Sequence, residues 1–246
     1  MHIFLLFALG AVLGSFVLVF VSRCMSGESF VKGRSRCNSC KIQLRAIELI
    51  PVLSFVLLKG RCKSCKSKIS MWHFFSEVIL GILFLSVFFI TPQIGPDDVF
   101  IRLFLLSSLF VLFLFDAHHG VLPDLITLPT LLFTFGYMWL RGFSVPQMVG
   151  GAVIGAGVFA LQYIISKGKW VGSGDIRLGA IMGVMLGVTG VVTALGIAYV
   201  VGAVVAVGLL LMKRKDLGDS LPFGVFLIPA TVVVWYYGLD IIRYFG

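Results

Sequence analysis

The chain has 246 residues, 59% of them hydrophobic and only 13% charged, and its mean hydropathy of +1.06 excludes an ordinary aqueous globular domain. Its 20 Lys and Arg against 11 Asp and Glu give a formal charge of +9. The basic residues cluster between apolar runs, where they act as a topology signal, and no nucleic-acid partner is expected.

Apolar stretches near the length needed to cross a bilayer recur along the chain. They predict an all-α polytopic membrane protein with about eight transmembrane helices, at roughly 2–21, 74–91, 100–115, 125–140, 147–165, 176–190, 193–212 and 222–241. Only Gly190 and its neighbours separate the sixth from the seventh. The expected organisation is a first transmembrane helix at 1–21, a cytoplasmic loop domain at 22–73 and a seven-helix membrane domain at 74–246.

Orientation follows from the cations. The loop 22–73 carries eleven of the twenty: Arg23, Lys32, Arg34, Arg36, Lys41, Arg45, Lys59, Arg61, Lys63, Lys66 and Lys68. Placing it in the cytoplasm also puts Lys167, Lys169, Arg177, Lys213, Arg214 and Lys215 there, and leaves Arg102, Arg141 and Arg243 outside, seventeen against three. The first apolar run has no Lys or Arg before it, unlike a secretory signal, and reads as a retained span with its amino terminus outside.

Within the loop, "CNSC" (Cys37, Cys40) and "CKSC" (Cys62, Cys65) are separated by 21 residues. Each Cys-x-x-Cys turns two sulfurs toward one point, and two such turns complete a tetrahedral thiolate site for structural zinc. The alternatives are two disulfides, which a reducing cytoplasm disfavours, or a redox pair, which needs only one motif. Cys24 has no assigned role. A loop of this length without its own apolar core needs such a staple. Its apolar stretch "IELIPVLSFVLL", 47–58, is expected against the membrane surface.

Asp175, in "WVGSGDIRLGA", stands directly before an apolar run, Leu178 to Met212, that carries no formal charge. A carboxylate so placed is functional by default and calls for a partner. Asp97, Asp98 and Asp240 fall on the outer side, Asp216 and Asp219 sit beside "KRK", and Glu28 and Glu48 belong to the loop. Glu77 reads as a helix-terminal or packing acid. In "FLFDAHHGVLPDLITLP", Asp116 ends the third span at lipid depth, whereas Asp124 follows Pro123 as a helix cap or support. Asp116 and Asp175 are therefore expected at the same cytoplasmic depth. Two carboxylates sharing a proton suit peptide hydrolysis, one activating water and the other polarising the scissile carbonyl. Proton-coupled transport is an equal use of the same pair.

Gly172 and Gly174, bracketing Ser173, are expected in a loop that lets an extended peptide approach. Gly179, Gly183 and Gly187, like Gly151 and Gly155, recur every fourth residue as helix-packing stripes. His118 and His119 lack any metal or nucleophile pattern and read as hydrated interfacial residues.

Several stretches taken together resemble the type IV leader-peptidase family of bacterial prepilin peptidases: "LGSF", "GRSRCNSCKIQL", "IPVLSFVLLKGRCKSCKSKIS" with Glu77, "DAHHGVLPDLITLP", "GSGD" and "LPFGVFL". The resemblance maps the family's two catalytic aspartates to Asp116 and to Asp175 of the Gly-x-Gly-Asp motif. It implies a polytopic aspartic endopeptidase of the bacterial inner membrane. Such an enzyme cuts the basic leader from type IV prepilins or type II secretion pseudopilins at the cytoplasmic face. Many members also methylate the new amino terminus with S-adenosylmethionine through their amino-terminal portion. After "GSF" this chain reads "VLVFVSRCM", without the family's usual Asn and Pro, and Glu48 stands where the family has Asp. These departures fall in the methylation-associated part and leave that activity open. Membrane lipids are the other expected partner, and no oligomeric state is implied.

Overall fold

The computed structural model describes residues 2–29, 34–90, 95–213 and 221–245, the side chains of 2 and 239–245 excepted. Lys32, Arg214, Lys215, Asp216 and Asp219 lie outside the described residues, as do the side chains of Asp240 and Arg243. The chain divides into two compact units, Met1–Ser107 and Ser108–Gly246.

The described residues are helical apart from turns and two isolated β-bridges. Five helices are long and apolar enough to cross a membrane. They are α1 (His2–Ser26), α3 (Met71–Ile90), α4 (Pro96–His119), α6 (Val145–Ser166) and α7 (Ser173–Leu211). Two more, α5 (Asp124–Leu140) and α8 (Gly224–Phe245), are apolar over shorter lengths. A multi-pass helical membrane protein is thus what the chain builds. Between α1 and α3 lie a 3-10 turn (Ala46–Leu49) and a short α2 (Leu53–Leu57).

In the first unit, α1 packs on α3 by backbone approach. A Cβ on Gly10 would stand 2.6 Å from the Leu80 carbonyl oxygen, and one on Gly14 would strike that of Ser76. Of the two readings of Glu77, the structure shows the packing acid: it is buried six residues inside α3, where its Oε2 accepts the Val52 backbone N–H at 2.6 Å.

In the second unit α7 is central, touching α5, α6 and α8. Gly151 faces Gly183 and Gly155 faces Gly179, each so close that an added Cβ would strike the opposite backbone. This is the close helix contact that small residues permit in lipid. Gly187 departs from the expected stripe. Its φ of 70° and ψ of −173° break α7 there, a conformation open to glycine and closed to most L-residues. The amide freed at the break, Val188 N–H, is met by Gln147 Oε1 at 3.4 Å. The discontinuity between the sixth and seventh expected spans therefore falls at Gly187, three residues before Gly190. An unbroken helix of 39 residues would rise about 58 Å, roughly twice the hydrocarbon thickness of a bilayer, so a break is physically required for both halves to stay in it.

Candidate active site and metal centre

Asp116 lies near the end of α4, 4% exposed, and Asp175 in the first turn of α7, 8% exposed. Helix α4 runs one turn further than the expected span. It stops at Gly120, whose φ of +62° supplies the left-handed residue that closes a helix. The short segment 120–123 then leads into α5.

Each carboxylate is held by backbone N–H groups at a helix start, where unpaired donors and the helix dipole favour an acid. The Gly172 N–H donates to Asp175 Oδ2 at 2.8 Å. The Val225 N–H donates to Asp116 Oδ2 at 3.0 Å, joined by that of Gly224 in the first turn of α8. Gly224 leaves room for this: a Cβ there would lie 2.7 Å from Asp116 Oδ2. The two acids line one cavity of about 580 Å³ together with His118, Lys169, Arg177 and Phe223. They are near enough that the charge of Asp175 repels that of Asp116.

Other expectations change. Gly174 is not in a loop but inside the first turn of α7, and Gly172 is its cap with φ −82° and ψ 161°, extended backbone that any residue adopts. What Gly174 permits is contact with the chain itself, since a Cβ there would stand 2.7 Å from Leu122 Cβ. Asp124 is not the cap of α5 but its first residue, after Pro123 at the cap position. It pairs instead with Arg177, so the support expected of Asp124 takes the form of an ion pair to the first turns of α7. Ser173, exposed, begins α7, and His118 and His119 are exposed as expected. Arg177 and the α8 amino terminus were not anticipated. The signal for the latter was present in "LPFGVFL", where glycine opens an apolar helix, though no local pattern names Asp116 as its neighbour.

In the first unit the two knuckles repeat one geometry. Arg36 bridges Gln43 and Arg61 bridges Lys68. The amides of Lys41 and Lys66 return to the carbonyls of Cys37 and Cys62, and both lysines adopt φ 58°. All four sulfurs of Cys37, Cys40, Cys62 and Cys65 lie within 4.8 Å of one another. Cys37 and Cys65 are 3.8 Å apart as free thiols. Tetrahedral zinc with sulfur at about 2.3 Å requires sulfur–sulfur edges of about 3.8 Å, so the cluster fits a metal. N–H groups of Cys40 and Ser39, with the Ser67 hydroxyl, hold the Cys37 thiol down to about 6. The Ser67 hydroxyl and amide lower that of Cys65. Thiolate is the ligating form.

Fold and cavity together define a multi-pass helical membrane protein with a buried acid pair suited to acid–base chemistry. The chain belongs to the type IV leader peptidase family, whose model matches residues 103–207, and residues 8–91 match the bacterial peptidase A24 N-terminal domain. A prepilin leader peptidase/N-methyltransferase of Bacillus subtilis (strain 168) is 31% identical, covering 98% of this chain and 96% of its own length. Proteins of the same name from Pseudomonas putida and Dichelobacter nodosus are each 32% identical, over 84% and 86% of this chain and 73% and 74% of theirs. No solved structure matches the chain. The protein is accordingly a membrane peptidase of this family, and the transporter reading has no support.

Proposed function

We propose that Asp116 and Asp175 are the catalytic pair of an endopeptidase that removes the basic leader of a type IV prepilin or type II pseudopilin. The observation that carries this is their burial on one cavity, each anchored by backbone donors that leave the rest of its carboxylate directed to chemistry. The charged acid takes a proton from water. As water adds to the scissile carbonyl carbon, the protonated acid donates to the carbonyl oxygen. The C–N bond then breaks as the first acid passes the proton it took from water to the leaving amine and the second recovers a proton from a hydroxyl of the intermediate. The cation distribution supports an amino terminus outside and a cavity at the cytoplasmic face, where a substrate with a cytoplasmic leader and an apolar helix presents its scissile bond.

Cys37, Cys40, Cys62 and Cys65 would hold zinc as a structural ion, since four thiolates leave no open coordination position. They fix the loop and take no part in hydrolysis. The relatives' shared name joins peptidase to N-methyltransferase. For this chain, methylation of the new amino terminus would consume S-adenosylmethionine as a second substrate, with the amino-terminal portion responsible.

The purified protein, incubated with a prepilin-like peptide and S-adenosylmethionine and read by mass spectrometry, tests the proposal. Cleavage at the boundary between leader and apolar helix is expected, and a methyl increment on the product decides the second activity. A peptide left whole by folded protein contradicts the proposal.

A further inference from the structure

The segment between the two knuckles exposes apolar side chains that the fold does not cover. Ile47 is 74% exposed and Leu57 76%, with Leu53 and Val56 each at 58%. Two contacts fix where they stand. The Val52 N–H bonds Glu77, and the Phe55 ring lies 5.3 Å from that of Phe74. Both partners are on α3, an apolar helix of membrane-spanning length that begins at Met71. Six residues at about 1.5 Å each put Glu77 about 9 Å along α3 from its first residue. A segment tied there runs beside the opening turns of α3.

The backbone at this tie is itself unusual. Val52 adopts φ 62° and ψ −53° between the 3-10 turn and α2, a conformation that a β-branched residue holds only when its surroundings impose it. The buried Glu77 carboxylate supplies that constraint. On either side of the apolar stretch stand exposed cations: Arg45 before it, Lys59 and Arg61 after it.

We propose that residues 47–57 form a re-entrant interfacial anchor, with Ile47, Leu53, Val56 and Leu57 in the headgroup–acyl boundary of an anionic bilayer and Glu77 fixing their depth. Apolar residues flanked by Lys and Arg are what an interface of anionic lipid takes up, hydrocarbon beneath and phosphate above. The anchor tethers the knuckles to the membrane independently of the peptidase cavity, so its test does not depend on proteolysis.

The test uses the full chain in nanodiscs of phosphatidylethanolamine and phosphatidylglycerol. A photoreactive benzoylphenylalanine replaces Ile47, Leu57 or, as the control on a knuckle, Lys63. Metal content and a single size-exclusion peak establish folding of each variant. After illumination, mass spectrometry is expected to find lipid adducts at 47 and 57 and none at 63. Two anchor positions keep the test decisive if one variant misfolds. Absence of lipid adducts at the folded positions overturns the proposal. Capture of a second copy of the chain, or of an added prepilin peptide, in place of lipid overturns it equally.

Discussion

The backbone N–H of Val225 reaches across 109 residues of sequence to hold the Asp116 carboxylate at 3.0 Å. The amino end of α8 thereby sets the position of an acid carried by α4. Gly224 is what allows the approach, because the space a side chain would fill contains Asp116 Oδ2. Gly224→Ala should displace that carboxylate while α8 still forms. Misplacing a reacting group by about 1 Å costs on the order of 100-fold in rate. A kcat lowered by about that factor, with KM and detergent thermal stability near those of the parent, is the expected result; an unchanged kcat would remove Gly224 from the site.

Leu122 lies against Gly174 and leaves no room there for a side chain. Gly174→Val should therefore destabilise the joint between segment 120–123 and α7 by about 1–3 kcal/mol, the usual penalty of overpacking. Adding Leu122→Gly should recover part of the lost thermal stability. Full stability in Gly174→Val combined with lost cleavage would return this glycine to the substrate path.

The ion pair between Asp124 and Arg177 is half open to water, with Asp124 side-chain exposure of 62%. Such a pair contributes about 0–1 kcal/mol. Asp124→Asn should keep most cleavage and most stability, in contrast to either buried acid. Loss of cleavage as complete as in those variants would make Asp124 a participant in the chemistry.

Much of this was legible in the sequence because it is local. Apolar runs mark the helices, and Cys-x-x-Cys spacing closes each half of the four-cysteine cluster. Asp116 and Asp175 stand out because each meets an uncharged apolar run. What escaped is long-range. Sequence spacing puts the break at Gly190 and its neighbours and Gly187 in a packing stripe, whereas it is Gly187 that has the positive φ. Gly174 reads as a loop residue until Leu122 is seen against it. The sequence leaves Glu77 as a helix-terminal or packing acid and Asp124 as a cap or support, without naming what either would bind. Their partners, Val52 and Arg177, are 25 and 53 residues away, beyond any periodic pattern.

The cysteine cluster should carry close to one zinc per chain after purification. Cys37→Ser or Cys65→Ser should lower that content and speed proteolysis between residues 22 and 73, as expected when a structural site loses a ligand. Metal-free protein with an equally protected loop would show that the thiols serve another purpose.

The central claim is that two particular carboxylates perform the hydrolysis. Asp116→Asn and Asp175→Asn each preserve shape and hydrogen-bond acceptance while removing the ability to cycle a proton. The most direct measurement is single-turnover cleavage of a prepilin-like peptide by each purified variant, beside the parent and Ser173→Ala. Cleavage abolished in both Asn variants, with membrane insertion, zinc content and Ser173→Ala activity retained, is the expected outcome. Substantial cleavage by either Asn variant would contradict the acid-pair mechanism.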